Sequence, residues 1–377
     1  MKLLFIANSR IPTERAMGTA IMKQCEAFAK AGITVELLVP IRSNSLREDP
    51  YVYHNIVTRF PIHHLQSFDI PFLEKLRLRF YVQKISFFIS LCLYVWRSDA
   101  DFLYTREPEI IGLVPTSIRK VVELHHLYGF TFLPKTFLHR CACIITITKA
   151  LKEDVIAKFG VRESLVSVMA NGVDLEALVV TSTKAEVRKA LDIPSEKPVV
   201  MYIGSFEDWK GYKTLLEASQ HLKEKYHFAF IGGKDDQVVE LRKAYPYVQF
   251  LGTLPSRELP NYQQAADVLV IPNSAKELIS ARHTSPLKVF THMASGVPIV
   301  ASRITSISEV LNDTNAILVS PDDIESLCEG IMFALEHADV AHARALRAKQ
   351  DSTQYDWNTR ARTIISYLNE STSKTNR

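Results

Sequence analysis

Cysteine is scarce in this 377-residue sequence, and its placement argues against a structural metal site. The five cysteines form an odd, scattered set without a C-x-x-C pair, so no structural zinc is expected. No segment after Met1 resembles a secretory signal peptide. We therefore expect a protein of a reducing, cytoplasmic compartment.

The most apolar segment of the sequence is also too short to cross a membrane. The run from Ile85 to Trp96 is shorter than the about 20 residues that a bilayer span requires. We expect a buried helix of the first domain, because the second half of this run is apolar all round. The alternative is a helix that lies at a membrane surface, since only basic charges occur between Lys75 and Arg97.

Several enzyme and binding motifs are absent as well. There is no G-x-x-x-x-G-K-[ST] P-loop, no G-x-G-x-x-G and no H-E-x-x-H. The net charge is only +4 and no nucleic-acid-binding motif accompanies it, so no nucleic-acid partner is expected. Any group transfer is expected to proceed without a metal ion.

What the sequence does contain is a regular alternation of apolar, β-rich runs with helical stretches, which predicts parallel sheets built from β-α units. The predicted strands of the first half are 3–8, 34–40, 101–105, 120–125 and 143–148. After a polar stretch, the pattern restarts with strands at 198–204, 227–233, 247–252, 267–272, 298–302 and 316–320. We therefore predict an α/β protein of two doubly wound Rossmann-like domains, residues 1–180 and 181–354. Ligands of such folds bind beyond the carboxyl ends of the strands, and here we expect a central cleft between the domains.

The segment from His283 to Ser302 predicts a helix whose first turn can hold a phosphate. This helix is expected to stop at Gly296. Lys288 lies in its first turn, where the helix dipole disfavours a cation by roughly 0.3 to 1 kcal/mol and where a bound anion would remove the conflict. The alternative is that Lys288 extends into solvent. The residues that can cap or begin the helix are Thr284, Ser285, Pro286 and Leu287.

A second lysine has the same kind of position. A predicted strand ends at Gly204, a loop follows from Ser205, and Lys210 leads into a helix that begins near Tyr212. Two lysines at strand carboxyl ends of the same predicted sheet indicate a clamp for a diphosphate.

The first domain offers two further candidate residues. Gly18 lies in a predicted loop, Ser9 to Thr19, that we expect to face the cleft. His125 follows a predicted strand and can position, or donate a hydrogen bond to, a reacting sugar or acceptor. The alternative for His125 is a structural role.

These segments, in this order and spacing, resemble the retaining family 4 glycosyltransferases, whose fold is called GT-B, over nearly the whole chain. The family holds a sugar nucleotide with its C-terminal domain and an acceptor with its N-terminal domain, and a last helix, here residues 355–371, crosses back to the first domain. The matching segments include RAMGTAIMKQCEAFAKAGITVELLVP (15–40), VVELHH (121–126), MYIGSFEDWKG (201–211), FLGTLPSRELPNYQQAADVLVIP (250–272) and SPLKVFTHMASGVPIVAS (285–302).

The resemblance assigns roles to individual residues. Lys210 would hold the diphosphate, and His125 would lie beside the donor sugar. Gly252 falls in the donor site together with Gly204 and the segment that contains Lys288.

Three positions depart from the family pattern. Family members usually carry two acidic residues spaced E-x7-E, whereas His283 and Thr291 occupy these positions here, and Ser205 replaces a usual arginine. The second acid binds the paired ribose hydroxyls in the family. Loss of such a charge-assisted hydrogen bond costs roughly 1.5 to 3 kcal/mol.

The resemblance implies metal-independent transfer of a hexose from a UDP- or GDP-sugar to a glycan or lipid-linked acceptor, without a cofactor, at the cytoplasmic side of a membrane. Lys210, Lys288 and His125 are the expected catalytic residues. One alternative is a nucleotide-sugar epimerase on the same fold, which would turn over the donor alone. The other is a degenerate nucleotide-binding or membrane-surface protein, which His283 and Thr291 favour.

Overall fold

A computed structural model describes residues 1–70, 78–114, 117–127, 137–254 and 258–375 of the chain. The chain divides into two compact units. The first consists of Met1–Ala170 with Trp357–Arg377, and the second of Asn171–Asp356.

The described part of the first unit contains a seven-stranded sheet in which all neighbouring strands are parallel. Its strands are β1 (Lys2–Ile6), β2 (Thr34–Pro40), β3 (Ile62–Leu65), β4 (Phe102–Thr105), β5 (Arg119–Leu124), β6 (Cys143–Thr146) and β7 (Val166–Val168). The strand order is β3-β2-β1-β4-β5-β6-β7. The helices that connect these strands are α1 (Ala16–Lys30), α2 (Pro50–Tyr53), α3 (Arg79–Trp96), α4 (Pro108–Leu113) and α5 (Lys149–Phe159).

The described part of the second unit contains a six-stranded parallel sheet. Its strands are β8 (Val199–Ile203), β9 (His227–Ile231), β10 (Val248–Gly252), β11 (Val268–Ile271), β12 (Ile299–Ser302) and β13 (Ile317–Val319), in the order β10-β9-β8-β11-β12-β13. Its helices are α6 (Lys184–Ala190), α7 (Tyr212–Leu222), α8 (Asp235–Ala244), α9 (Leu259–Ala265), α10 (Leu287–Ser295), α11 (Thr305–Ser308), α12 (Ile324–Glu336) and α13 (Ala338–Ser352).

The sheets confirm the predicted α/β fold class and each of the predicted strands to within two residues at either end. Every residue of β4, β6 and β8 is buried, as expected for parallel strands that helices cover on both faces. The strands that the sequence did not predict are β3 and β7, which lie at the two edges of the first sheet.

The last helix, α14 (Trp357–Thr375), belongs to the first unit and packs against α1. The first unit ends at Ala170 and not at the expected boundary of residue 180. The reason lies in hydrogen bonds that backbone N–H groups after Ala170 donate within the second unit. The N–H of Asn171 donates to Oγ of Ser285 at 3.1 Å, and the N–H of Val173 donates to the carbonyl oxygen of Tyr355 at 2.9 Å.

Helix α3 is only partly the buried helix that we expected. One face is buried and contains Phe87, Leu91 and Val95. A second face is apolar too, but its side chains are between 51 and 78% exposed, and they recur every three or four residues at Tyr81, Ile85, Ile89, Leu93 and Trp96. The sequence could not separate the two faces, because both are apolar. No helix in the described part of the chain has the length and apolar character needed to cross a membrane.

Candidate functional site

The carboxyl edge of the second sheet gathers the ends of three neighbouring strands, β10, β9 and β8. The N–H of Gly232 donates to the carbonyl oxygen of Gly252 at 2.7 Å. A Cβ on Gly232 would overlap the carbonyl oxygen of Gly204, and the φ angle of Gly232 is 118°. Glycine is therefore required at this position for the backbone after β9 to lie against the end of β8.

Lys288, in the first turn of α10, places its ammonium group at this edge. Its Nζ lies 4.6 Å from the centre of the Tyr202 ring and is buried without a hydrogen-bond partner among the residues that the structure describes. Burial, followed by the positive charge of Lys210, lowers the pKa of Lys288 to about 7, although Glu207 opposes the shift. The side chain therefore does not extend into solvent, which was the alternative that the sequence left open.

Lys210 ends a short 3-10 turn, Asp208–Lys210, just before α7. Its Nζ donates to Oγ of Ser205, lies 3.3 Å from Oε2 of Glu207, and lies 4.8 Å from the centre of the Trp209 ring. Nζ of Lys288 would lie 3.6 Å from a Cβ on Gly204, and Lys210 contacts the next residue, Ser205, so both lysines reach the end of β8. That they clamp a diphosphate stays a prediction.

The start of α10 differs in detail from the prediction. Pro286 occupies the capping position, without a side-chain cap, and the helix begins at Leu287. Ser285 does not cap the helix, because its Oγ accepts the N–H of Asn171. The N–H of Thr284 donates to the carbonyl oxygen of Ile279 at 2.8 Å. The helix ends before Gly296, whose φ of 73° is left-handed, as predicted.

In the first unit, His125 belongs to a buried charged cluster around Glu123 of β5. We call Tyr104, Arg106, Glu123, His125 and Arg360 the Glu123 cluster. The carboxylate of Glu123 accepts hydrogen bonds from the hydroxyl of Tyr104, from Nε2 of His125 at 2.7 Å and from Nη2 of Arg360 at 2.9 Å. Nη2 of Arg106 lies 2.9 Å from the same carboxylate.

The charges of this cluster set two pKa values. Burial alone would raise the pKa of Glu123, but Arg106, Arg360 and His125 outweigh it and hold that pKa well below its usual value. Burial and then the charge of Arg106 lower the pKa of His125, although Glu123 opposes them. The cluster therefore combines an ionised carboxylate with a neutral imidazole near pH 7.

Two family models match the chain and together cover most of it. "Glycosyltransferase Family 4" matches residues 17–177, and "Glycosyl transferases group 1" matches residues 197–337. The chain belongs to the family 4 glycosyltransferases. The matches fall on the two units, in agreement with the GT-B fold of two parallel-sheet α/β domains.

One curated relative of this family 4 chain is the sulfoquinovosyl transferase SQD2 of Arabidopsis thaliana, 25% identical over 320 residues. The match covers 78% of the chain and 60% of that relative, so the chain spans about three fifths of the relative's length.

Solved structures show the same fold over the full length. Sucrose-phosphate synthase from Thermosynechococcus elongatus superposes with a TM-score of 0.77 at 18% identity and covers 99% of both chains. The Anabaena protein HepE, solved in complex with UDP-glucose, has a TM-score of 0.74 at 18% identity and covers 98% of this chain and 100% of its own.

The two positions where this family 4 chain lacks the usual acids lie on or just before α10. His283 is buried at the end of a π-helical turn, Ile279–His283. Oγ1 of Thr291 donates to the carbonyl oxygen of Lys288 at 3.2 Å and accepts Nε2 of Gln263 at 3.3 Å. The Thr291 hydroxyl thus makes both of these hydrogen bonds within the second unit.

Gly18 does not lie in a loop, as expected, but within α1. It is buried there, and a Cβ would overlap Cγ2 of Thr13. The loop that precedes it is shorter than predicted because α1 begins at Ala16. Close packing against Thr13 therefore explains this glycine without a ligand.

Sequence reasoning missed Arg106, Glu123 and Arg360. A signal was present for Glu123, because a carboxylate within an apolar strand of a covered sheet must find a charged partner. No signal identified Arg360 as that partner, since 237 positions separate the two residues. Among the described residues, no group of three or more His, Cys, Asp or Glu side chains could hold a metal ion.

Proposed function

We propose that the chain is a retaining glycosyltransferase that moves a hexose from a UDP- or GDP-sugar to a glycan or lipid-linked acceptor. The observation that carries this proposal is the convergence of Lys210 and Lys288 at the carboxyl edge of the second sheet. A buried ammonium group without a counterion is costly, and a diphosphate would supply the counterion. Family membership and a relative solved with UDP-glucose support a nucleotide-sugar donor.

In the proposed reaction, the bond between the anomeric carbon and the diphosphate oxygen breaks, a bond to an acceptor hydroxyl oxygen forms, and the proton of that hydroxyl passes to the departing diphosphate oxygen. The leaving diphosphate gains negative charge, which Lys210 and Lys288 stabilise electrostatically without a metal ion or a cofactor. His125 of the first unit orients the sugar through a hydroxyl group. The anomeric configuration of the product, read from its proton NMR coupling, tests retention.

Donor binding is tested by thermal unfolding in the presence of UDP, GDP or ADP. A nucleotide at 100 times its Kd stabilises the protein by about 2.7 kcal/mol. At roughly 2 to 4 °C per kcal/mol, this shift is easily measured. We expect the shift with UDP or GDP, a smaller one in Lys210→Ala, and an unchanged one in the control Lys213→Ala. Lys213 is an exposed neighbour on α7 that pairs with Asp208.

Turnover separates this proposal from its alternatives. Lys210→Ala is expected to lower kcat/KM by at least about 10²-fold, comparable to the loss of one oxyanion donor. Conversion of the sugar nucleotide without any acceptor would identify an epimerase. Absence of both a nucleotide-dependent shift and turnover would identify a degenerate relative.

We further propose that the chain works at the cytoplasmic face of a membrane and contacts anionic lipid through the exposed face of α3. The aliphatic residues Ile85, Ile89 and Leu93 occupy the middle of this face, and Tyr81 and Trp96 lie at its two ends. Aromatic residues with a polar group favour the boundary between headgroups and acyl chains. The sequence from Lys75 to Arg97 contains basic residues and no acidic one, which complements an anionic surface.

A further inference from the structure

The contact between Glu123 and His125 fixes the position of a proton. Nε2 of His125 lies 2.7 Å from Oε1 of Glu123, within the range of a charge-assisted hydrogen bond. An ionised carboxylate can only accept hydrogen bonds, so the proton in this contact belongs to Nε2.

The rest of the Glu123 cluster keeps the carboxylate ionised. Tyr104 donates its hydroxyl hydrogen to Glu123, and Arg106 and Arg360 each place a guanidinium nitrogen 2.9 Å from the carboxylate. Arg360 is itself anchored, because its Nε donates to the carbonyl oxygen of Ala170 at 2.7 Å. Two guanidinium groups thus face one carboxylate in a buried site.

The same charges keep the imidazole neutral. A protonated His125 would be a third positive group beside a single carboxylate, in surroundings that solvate charge poorly. Burial and Arg106 lower its pKa accordingly. A neutral imidazole carries one proton, and that proton is on Nε2. Nδ1 is left with a lone pair and has no hydrogen-bond partner among the residues that the structure describes, while 27% of the side chain is exposed.

We infer that Glu123 is a positioning residue that holds the proton of His125 on Nε2, so that Nδ1 accepts a hydrogen bond from a substrate hydroxyl. This inference rests on the proposed function for the identity of that hydroxyl as one of a sugar. The group that binds Nδ1 must carry a hydrogen to donate. A phosphate oxygen or a carbonyl oxygen cannot meet this requirement, so His125 recognises the sugar and not the diphosphate.

The proton position is tested directly by NMR of the unmodified protein labelled with ¹⁵N at histidine. Multiple-bond ¹H–¹⁵N correlations distinguish a protonated ring nitrogen from an unprotonated one. The His125 signals are identified by their loss in His125→Gln. We expect Nε2 protonated and Nδ1 unprotonated at pH 7. A proton on Nδ1, or on both nitrogens, would overturn the inference.

A double-mutant cycle tests whether Glu123 acts through His125. Turnover is measured with UDP-glucose or GDP-mannose, whichever the wild type consumes. Glu123→Gln and His125→Gln are each expected to lower kcat/KM by about 10²-fold, the typical effect of a misplaced catalytic group. The double variant is expected to match His125→Gln, because the two residues act as one unit. Effects that multiply would contradict a positioning role.

Control measurements distinguish a loss of the Glu123–His125 contact from a loss of stability and from a failure of the proposed function. Glu36→Gln removes a carboxylate that lies 3.6 Å from another histidine, His63, and is expected to leave the His125 spectrum and turnover unchanged. Should Glu123→Gln fail to fold, the wild-type spectrum still decides the proton position. Should the wild type consume neither donor, the proposed function fails while the spectrum still tests Glu123.

Discussion

Lys288 illustrates how one buried amine can couple ligand binding to pH. Its pKa of about 7 lies below the ordinary lysine value of 10.5, so the unfolded chain binds more protons than the folded one between these values. Folding stability without a ligand therefore rises with pH across that window, and the cost of burying the charge is largest below pH 7. A diphosphate reverses the preference, because it favours the protonated amine.

We therefore expect proton uptake when UDP or GDP binds. At pH 8 most Lys288 amines are neutral in the unliganded protein, so binding should take up close to one proton, whereas at pH 6 the uptake at Lys288 should be small. Calorimetric titration in two buffers of different ionisation enthalpy measures this uptake. Lys288→Met should abolish it, and no uptake by the wild type at pH 8 would contradict the role of Lys288.

The residues of the candidate site could be predicted from the sequence only in part. Lys210 and Lys288 could be paired in advance, because each follows a strand of the same sheet and parallel strands end at the same edge. The Glu123 cluster could not be assembled in this way. Its members lie on or just after two strands and on a helix that returns after the whole second unit, and only tertiary structure brings them together.

Tight backbone contacts hold the segment that carries Lys210 in place before α7. Gly211 follows Lys210 with a φ of 68°, and a Cβ there would overlap the carbonyl oxygen of Pro272. Gly160, at the end of α5, has a similar φ of 64°, but a Cβ there would meet nothing within 4 Å. Comparing alanine substitutions at the two glycines therefore distinguishes the free-energy cost of a left-handed backbone from that of a steric clash.

Gly160→Ala should destabilise the protein by about 1 to 2 kcal/mol, the cost of a left-handed L-residue. Gly211→Ala should cost about 1 to 3 kcal/mol more, since the added methyl group also displaces the backbone at Pro272. Urea denaturation of both variants measures the difference. Equal destabilisation would show that the contact with Pro272 is not tight.

The two faces of helix α3 can be tested separately. Ile89→Glu, on the exposed face, should leave stability within about 0.5 kcal/mol of the wild type and abolish binding to phosphatidylcholine vesicles that contain phosphatidylglycerol. Phe87→Ala, on the buried face, should cost about 3 to 5 kcal/mol. Sedimentation with vesicles and thermal unfolding provide the two measurements.

The matched control for α3 is Leu346→Glu, an equally exposed leucine on α13. It should not change vesicle binding. If the wild-type protein does not bind these vesicles, or if the Ile89→Glu protein still binds them, the proposed membrane contact through α3 is refuted.

The elements themselves were predictable to different degrees. Long apolar strands such as β2 and β8 stand out because both faces of a covered parallel sheet must be apolar. Strand β3 contains His63 and His64, and β7 is only three residues long, so neither carries the apolar pattern of a central strand. Both are edge strands of the sheet that the described residues form, and the demand for apolar residues is weaker at such an edge.

The two units divide the proposed tasks between them. The lysines that would bind the diphosphate lie in the second unit, and the Glu123 cluster lies in the first. A substitution that destabilises the first unit should therefore leave nucleotide binding by the second unit unchanged.

Arg360→Met tests this separation. Removing one partner of a buried ion pair should destabilise the first unit by about 3 to 5 kcal/mol. The Kd for UDP or GDP should stay within about twofold of the wild-type value, because the variant does not touch the second unit. Urea denaturation and calorimetric titration supply the two numbers, with the exposed neighbour in Arg362→Met as control. A large loss of nucleotide affinity in Arg360→Met would disprove the division of tasks.

The return of α14 to the first unit also has a consequence for synthesis on the ribosome. Chains grow at about 5 to 20 residues per second, so about 10 to 40 seconds separate the emergence of residue 170 from that of residue 357. The second unit is contiguous and can fold during this interval, whereas α1 waits for the helix that packs against it. Until Arg360 emerges, Glu123 lacks one of its two guanidinium partners. The unit that begins first is thus the last to be completed, and until α14 emerges the surface of α1 that it covers stays exposed on the growing chain.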